Sequence, residues 1–226
     1  MESKMYRILI LTLLLLTACG DQLVIGVDDS DLSEEKLAKN ANSLYVKNEY
    51  NEAIESYESL VGLFPTSKSQ AEYQARLFSL YEKKSEFAEL EEFSEHVMED
   101  SPSAQNPAVL YYYGVANLMQ SKTHIFDVVS KDAGGKDLIR LEKAAKAFKQ
   151  FIARNPKHKL VKSANEKLKQ AREMIAQVHF QVSKFYQQRG HEKASSLRLE
   201  QITQHYADTS YADLAKQILK NKKKLT

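Results

Sequence analysis

A recurring order of small, aromatic and proline residues constrains the fold of this chain more than any other feature. The clearest copy runs through Ala41, Tyr50, Ala53, Tyr57 and Pro65. The alanines let two antiparallel helices approach closely, and the tyrosines fill the space between one helix pair and the next. Proline ends the second helix, because it has no amide hydrogen to donate and disfavours helix at the preceding residue. The segment therefore predicts a helical hairpin that stacks on similar hairpins.

Two following segments repeat this order with departures. The second hairpin has Phe78 in its first helix, Leu90 where alanine is usual, and Pro102 at its end. The third has Gly114 as its close-packing residue, but an insertion at 120–141 separates its two helices. The pattern residues of its second helix are Ala144, Phe148 and Pro156. We expect the apolar run from Ile125 to Val129 in this insertion to fold back on the array; an additional contact surface is the alternative.

A fourth copy follows on a long helix that begins near Val161. Its pattern residues are Val182, Phe185, Tyr186, Gly190, Ala194 and Ile202, with Tyr206 where proline is usual. A last helix at about 210–223 is typical of a terminal cap, which faces water with a polar surface. We expect four lysines to be exposed there: Lys220, Lys222, Lys223 and Lys224.

These copies together predict an all-α fold, a tetratricopeptide (TPR) solenoid of about four repeats plus a C-terminal capping helix. The repeats are placed at about 34–66, 71–103, 107–157 and 175–207, within a repeat domain spanning 31–226. Asp31 followed by Glu34 predicts the first helix start, as in a capping box. A plain helical bundle is the competing fold, but it does not explain prolines that recur at the ends of the hairpins.

The N-terminal segment 1–18 has the pattern of a secretory signal. Lys4 and Arg7 precede the apolar run Ile8–Leu16, which is too short to span a bilayer, and small residues lead to Cys19. This end resembles a lipoprotein signal with a lipobox, which implies cleavage before Cys19 and acylation of its sulfur, for example with palmitate. An ordinary signal peptide with a chance cysteine and a membrane helix are the alternatives. Segment 19–30 is then a lipidated, flexible tether.

The charges of the chain are unevenly distributed. Residues 21–100 contain 19 acidic and 7 basic residues, whereas residues 101–226 contain 10 acidic and 23 basic ones. Such asymmetry bears on partners more than on fold. The basic half either faces an acidic protein or anionic headgroups, or is a solvated surface without a partner. An exported protein is not expected to meet nucleic acid.

The sequence lacks the patterns that enzymes and metal sites require. The six histidines show no ligand spacing such as H-E-x-x-H, and there is no G-x-S-x-G and no glycine-rich phosphate loop. Cys19 is the one cysteine, and acylation would consume its thiol. We therefore expect no catalytic residue, no metal and no cofactor.

Four segments carry a resemblance to a known family. They are Tyr112–Asn117, followed by the long insertion, then Ala145–Phe151, Asn155–His158 and Phe185–Gly190. With the lipobox, the tether and the repeats in the same order, the chain resembles the BamD (YfiO) family of outer-membrane assembly lipoproteins. Family members commonly have five repeats, whereas this pattern ends after four and a helix, so functions of a fifth repeat are in doubt here.

The resemblance implies a non-enzymatic subunit of the β-barrel assembly machinery (the BAM complex). Such proteins lie on the periplasmic face of the outer membrane, held by their lipid anchor. They bind the POTRA domains of an Omp85-type barrel through C-terminal repeats, other assembly lipoproteins can join them, and N-terminal repeats are proposed to receive unfolded barrel substrates. A pilotin-like lipoprotein that escorts a secretin and a general periplasmic scaffold are the alternatives.

We expect two surfaces on the array that bind partners, a groove and a segment around Arg189. The first helices of the hairpins line a concave groove, and aromatic, apolar and polar groups there suit an extended peptide. The expected groove residues are Asn42, Tyr45, Val46, Ser79, Glu82, Lys83, Tyr111, Val115 and Leu118. Alternatively, Tyr45 and Tyr111 pack between repeats. Arg189, just before the turn at Gly190, is expected to grip a partner carboxylate. Tyr186 is a second partner-binding residue expected in the same segment. An exposed arginine or an intrachain ion pair is the alternative.

Overall fold

The computed structural model of the chain describes residues 33–100, 106–121 and 133–223. Within these ranges all regular structure is helical. Nine helices follow one another in the described residues: α1 (Glu34–Lys47), α2 (Tyr50–Leu63), α3 (Gln70–Lys84), α4 (Phe87–Asp100), α5 (Val109–Ser121), α6 (Ala133–Arg154), α7 (Val161–Gln188), α8 (Glu192–His205) and α9 (Tyr211–Lys223). None of these helices is both long and apolar enough to cross a bilayer.

The helices pair into four consecutive hairpins, α1–α2, α3–α4, α5–α6 and α7–α8, and each hairpin packs on the next. Helix α9 packs on α8 and α7 and ends the array. The predicted all-α repeat array is thereby confirmed for the described residues.

The same tight turn joins the helices of three hairpins. Asn48, Ser85 and Gly190 each adopt a positive φ, of 64°, 59° and 75°. In each case the following amide donates to a carbonyl five residues back, as His191 N does to Tyr186 O at 2.9 Å. This is the left-handed helix ending that glycine and asparagine favour. The same turn therefore recurs at equivalent positions of the first, second and fourth hairpins.

A second turn joins one hairpin to the next. In three of these turns, the carbonyl of the residue that ends a helix accepts a hydrogen bond from the amide three residues later. The donor and acceptor residues are Ser67 and Phe64, His158 and Asn155, and Thr209 and Tyr206. Proline at the second position of such a turn has the φ that the turn requires. Pro65 and Pro156 occupy that position.

This register corrects three pattern assignments in the fourth repeat. Tyr206 is equivalent to Phe64, so the proline position is held by Ala207 and not by Tyr206. Ser195, 1% exposed, takes the place of Ala53, whereas Ala194 is half-buried. Ser183, 2% exposed, takes the place of Ala41 instead of Val182.

The N-cap of the first helix lies two residues after the predicted cap, Asp31. Ser33 is the N-cap of α1, and its side chain accepts a hydrogen bond from Lys36 N at 3.4 Å. Glu34 faces the array instead, where it accepts hydrogen bonds from Ser67 and Tyr73, which lower the pKa of its carboxyl. Asp31 and Cys19 lie outside the described residues.

Helix α6 accounts for part of the length of the third repeat, because its 22 residues exceed the 14 of α2 and of α4. Residues 133–141 of the predicted insertion belong to this helix, and the apolar run from Ile125 to Val129 lies outside the described residues. The ion pairs of Arg140 Nη1 (2.7 Å) and Lys143 Nζ (3.7 Å) with Glu91 join α6 to α4. Burial would raise the pKa of Glu91, but the hydrogen bonds from Arg140 and Gln120 outweigh it, and the pKa is lowered.

Candidate binding surfaces

A concave groove of about 540 Å³ crosses three repeats. Its walls come from α1, from one face of α3, from the start of α5 and from the turn before α7. Helices α2, α4 and α6 contribute nothing to it. The lining residues that bear polar or aromatic groups are Tyr45, Glu72, Arg76, Ser79, Asn106, Tyr112, His158 and Lys159.

The polar groups of the groove have set positions. The Arg76 guanidinium lies 5.0 Å from the centre of the Tyr45 ring, a cation–π distance that joins α1 to α3. Asn106 donates to the Ala71 carbonyl at 2.7 Å and so fixes the entry to α5. The groove therefore combines arginine, lysine, histidine and one glutamate, Glu72, with aromatic rings and the apolar side chain of Leu160. Such a surface is suited to an extended chain with an anionic group.

Glu82 follows Ser79 by three residues on α3, on the groove side of the helix. Its side chain is half-buried, and burial raises the pKa of its carboxyl, although Lys167 and Lys83 act in the opposite direction. Because ionisation here is disfavoured, a donor group arriving on a ligand would stabilise the carboxylate.

Some of the residues predicted for the groove lie at it. Tyr45 and Ser79 line it, and Asn42, although exposed, accepts a hydrogen bond from Tyr57 Oη at 3.1 Å. Val46 is 76% exposed. Sequence reasoning missed Arg76, although it lies three residues before Ser79 on the same helix face.

Three predicted groove residues are in the core instead. Leu118 is 0% exposed, Val115 is 1% exposed and Tyr111 is 4% exposed, so the prediction that they face a ligand is wrong. Helix α5 lies between α3, α4, α6 and α7 and has buried residues on nearly all sides. Tyr111 packs between repeats, as the alternative had it, with its hydroxyl 2.9 Å from Ser163 Oγ.

A second surface lies at the turn between α7 and α8. The Arg189 guanidinium lies 3.9 Å from the centre of the Phe185 ring, and Arg189 forms no ion pair within the described residues. Gly190 then reverses the chain at φ 75°, and no atom lies within 4 Å of the position that a Cβ would occupy there. Stacking on Phe185 leaves the hydrogen-bond donors of the arginine available to a partner.

A shallow depression of about 650 Å³ adjoins this arginine. Tyr186, His191 and Leu197 line it, and the Leu197 side chain is 53% exposed. The one carboxylate in the lining, Glu192, is paired with Lys222 Nζ at 2.6 Å. The sequence predicts an exposed Lys222, but its side chain is only 20% exposed in this pair. The corner thus presents a cation beside an apolar surface.

The described residues contain no group of three histidine, cysteine, aspartate or glutamate side chains that could hold a metal ion.

The sequence of the array matches the family model YfiO, described as an outer membrane lipoprotein, over residues 30–226. The chain belongs to the YfiO family of outer membrane lipoproteins. The match runs through all four hairpins and α9, so it includes both surfaces. The family likeness inferred from the four sequence segments is confirmed.

Similar proteins include curated members of this family. The outer membrane protein assembly factor BamD of Neisseria meningitidis serogroup A is 25% identical over 210 residues, which cover 91% of this chain and 79% of the relative. BamD of Neisseria gonorrhoeae has the same identity and coverage. BamD of Xylella fastidiosa is 22% identical over 214 residues, 92% of this chain and 72% of the relative.

Proposed function

We propose that this protein is a non-enzymatic, lipid-anchored subunit of the machinery that assembles β-barrels in the outer membrane. The observation that carries the proposal is the family match over the whole helical array. The names of the similar proteins, outer membrane protein assembly factors, support the same role. Acylation at Cys19 would hold the array at the periplasmic face of the membrane, where tethering raises the local concentration of its partners.

The Arg189 corner is the proposed contact for the POTRA domains of an Omp85-type barrel protein. A guanidinium held against an aromatic ring loses little freedom on binding, and it can grip a carboxylate bidentately. The exposed Leu197 side chain would bury apolar area beside that ion pair. Other assembly lipoproteins are further candidate partners of the array.

The groove is the proposed receptor for unfolded barrel substrates. An extended substrate has unpaired backbone donors and acceptors, and the groove offers the Ser79 hydroxyl to them, with Glu82 three residues later on the same side of α3. Arg76 and Lys159 would attract an anionic group on the same segment.

Depletion of the protein tests the role in assembly. We expect the amount of several barrel proteins in the outer membrane to fall together, with unfolded forms in the periplasm, while lipoprotein export continues. Loss of a secretin alone, with normal porin amounts, would assign the protein to secretin escort instead. Normal amounts of every barrel would favour a general scaffold and reject the proposal.

A further inference from the structure

The side of the array opposite the groove changes sign between its second and third hairpins. Helices α2 and α4 contain no lysine or arginine. Their exposed glutamates are Glu52, Glu55, Glu58, Glu89, Glu92, Glu95 and Glu99. Helix α6 follows with a basic row, defined here as the exposed cations Lys143, Lys146, Lys149, Arg154 and Lys157, the last lying just after the helix.

The basic row is largely unneutralised by the chain itself. Lys143 is 3.7 Å from Glu91, and the other four form no ion pair with a described residue. The hydrogen bond from Arg172 has the larger effect in lowering the pKa of the Asp208 carboxyl, and the charge of Lys149 helps to lower it. Glu142 is the one exposed carboxylate among the described side chains of α6. From Lys143 to Arg154 the row extends about 17 Å along the helix.

We infer that the basic row docks the array on anionic phospholipid headgroups. Four of its five cations are lysines, whose compact, strongly hydrated ammonium groups suit a diffuse anionic surface. Lysine is depleted at the centres of protein interfaces, where arginine is preferred. Ile139, 57% exposed on the same helix, lies one turn before Lys143 and can enter the headgroup layer.

The acidic helices α2 and α4 would be repelled by the same surface, so the array would adopt one orientation. The basic half would lie against the bilayer, and the acidic half would stand away from it. The inference goes beyond the proposed assembly role, and it rests on the lipid anchor in that proposal, which brings the array to a membrane.

Amine labelling on vesicles tests the inference. The full chain, purified with its native anchor, is placed in vesicles of phosphatidylcholine alone or with one third phosphatidylglycerol. An amine-reactive reagent is added, and mass spectrometry follows each lysine. We expect Lys146 and Lys157 to react about threefold more slowly on the anionic vesicles, since nearby headgroups exclude reagent. Lys39 and Lys47, exposed in the acidic half, should react equally on both.

Salt and charge reversal provide the controls. High salt shortens the screening length and should restore the reactivity of Lys146 and Lys157. Lys146→Glu with Arg154→Glu should abolish the protection of Lys157, whereas Lys39→Glu with Lys47→Glu should leave it unchanged. Circular dichroism verifies that both double variants remain helical.

Equal labelling rates on the two vesicle types would overturn the inference. Protection that persists at high salt, or that arises only when an Omp85-type protein is added, would overturn it too, and the latter result would assign the row to protein contact. Absence of an acyl group on the purified chain would contradict the proposed anchor instead, so the two failures are distinguishable.

Discussion

Gly114 on α5 lies directly against the ring of Phe148 on α6. A Cβ placed on the glycine would fall 2.7 Å from Phe148 Cε1 and 2.9 Å from Cζ. Phe148 is itself 0% exposed and also contacts Tyr111, with ring centres 6.1 Å apart. The third hairpin therefore closes on a position that admits no side chain.

Gly114→Ala should destabilise the array despite the higher helix propensity of alanine. The added methyl group must displace a buried ring, which costs about 1–3 kcal/mol by overpacking. Thermal unfolding followed by circular dichroism measures the change. Gly62→Ala is the matched control, because nothing lies within 4 Å of a Cβ at Gly62. That variant should be neutral or stabilised by up to about 1 kcal/mol, and equal melting temperatures for the two variants would contradict the packing.

Glu173→Gln should loosen the C-terminal helix α9. Glu173 accepts hydrogen bonds from the Ser210 amide, at 3.1 Å, and from the Ser210 hydroxyl, just before α9 begins. Loss of the charge at a helix start should cost about 1 kcal/mol. Hydrogen exchange should then become faster in α9 and not in α1. Glu166 is exposed on α7, the helix that also carries Glu173, so Glu166→Gln is the matched control. Faster exchange in α9 in both variants would show that the bonds from Ser210 to Glu173 do not hold α9.

Stability should fall as the pH decreases from about 6.5 to 4, through His179. Burial lowers the pKa of His179 to about 4, with smaller effects of Arg198 and His205. Arg198 donates to its Nδ1 at 3.4 Å, which requires that nitrogen to be unprotonated. In this pH range the unfolded chain binds a proton that the folded chain does not. The loss in the free energy of unfolding should therefore approach about 3 kcal/mol.

Urea unfolding at several pH values measures this slope. His179→Gln should flatten it between pH 6.5 and 4.5, and His191→Gln, at an exposed site, should not. Carboxyls with lowered pKa, such as Asp208, lose their stabilising charge only at lower pH. An unchanged slope in His179→Gln would show that another group is responsible.

Arg76→Glu should weaken binding of an unfolded barrel segment to the groove. The change reverses the charge beside Tyr45 and removes the stacking contact, so we expect a loss of about tenfold in affinity. Fluorescence anisotropy with a labelled barrel-derived peptide measures it. Tyr111→Phe is the contrast, since its hydroxyl contacts Ser163 inside the array. That variant should keep the affinity, and the reverse pattern would relocate the site.

The first hairpin could be predicted from sequence because its small and aromatic residues sit at positions that close packing restricts. Ala41 and Ala53 are both 0% exposed, and Tyr57 is 2% exposed. Pro65 likewise marks a turn that recurs. In the fourth repeat, serine occupies the positions of these alanines. A search for alanine therefore selects Ala194 instead of the buried Ser195.

The groove could be predicted only in part. Helical spacing identifies the face of α3 that lines the groove. It does not show that neighbouring helices enclose α5, so it wrongly predicts that Leu118 is exposed. Residues of the connecting turns, such as His158, reach the groove through the stacking of hairpins. The stacking of Arg189 on Phe185 depends on side-chain conformation at a helix end, which no spacing rule gives.

Arg189→Glu should reduce the affinity for the POTRA domains of an Omp85-type protein by at least about tenfold. Arg189 is exposed, so the melting temperature should stay the same. Lys216→Glu, a charge reversal on the exposed surface of α9, is the matched control and should bind normally. Unchanged affinity in Arg189→Glu would remove this residue from the interface.

Affinity purification of the lipidated chain from outer membranes, with mass spectrometry of what copurifies, tests the proposed assembly role most directly. The account predicts an Omp85-type barrel protein as a major partner of the unaltered chain, strongly reduced with Arg189→Glu and retained with Lys216→Glu. Recovery of a secretin, or of no barrel protein at all, would contradict it.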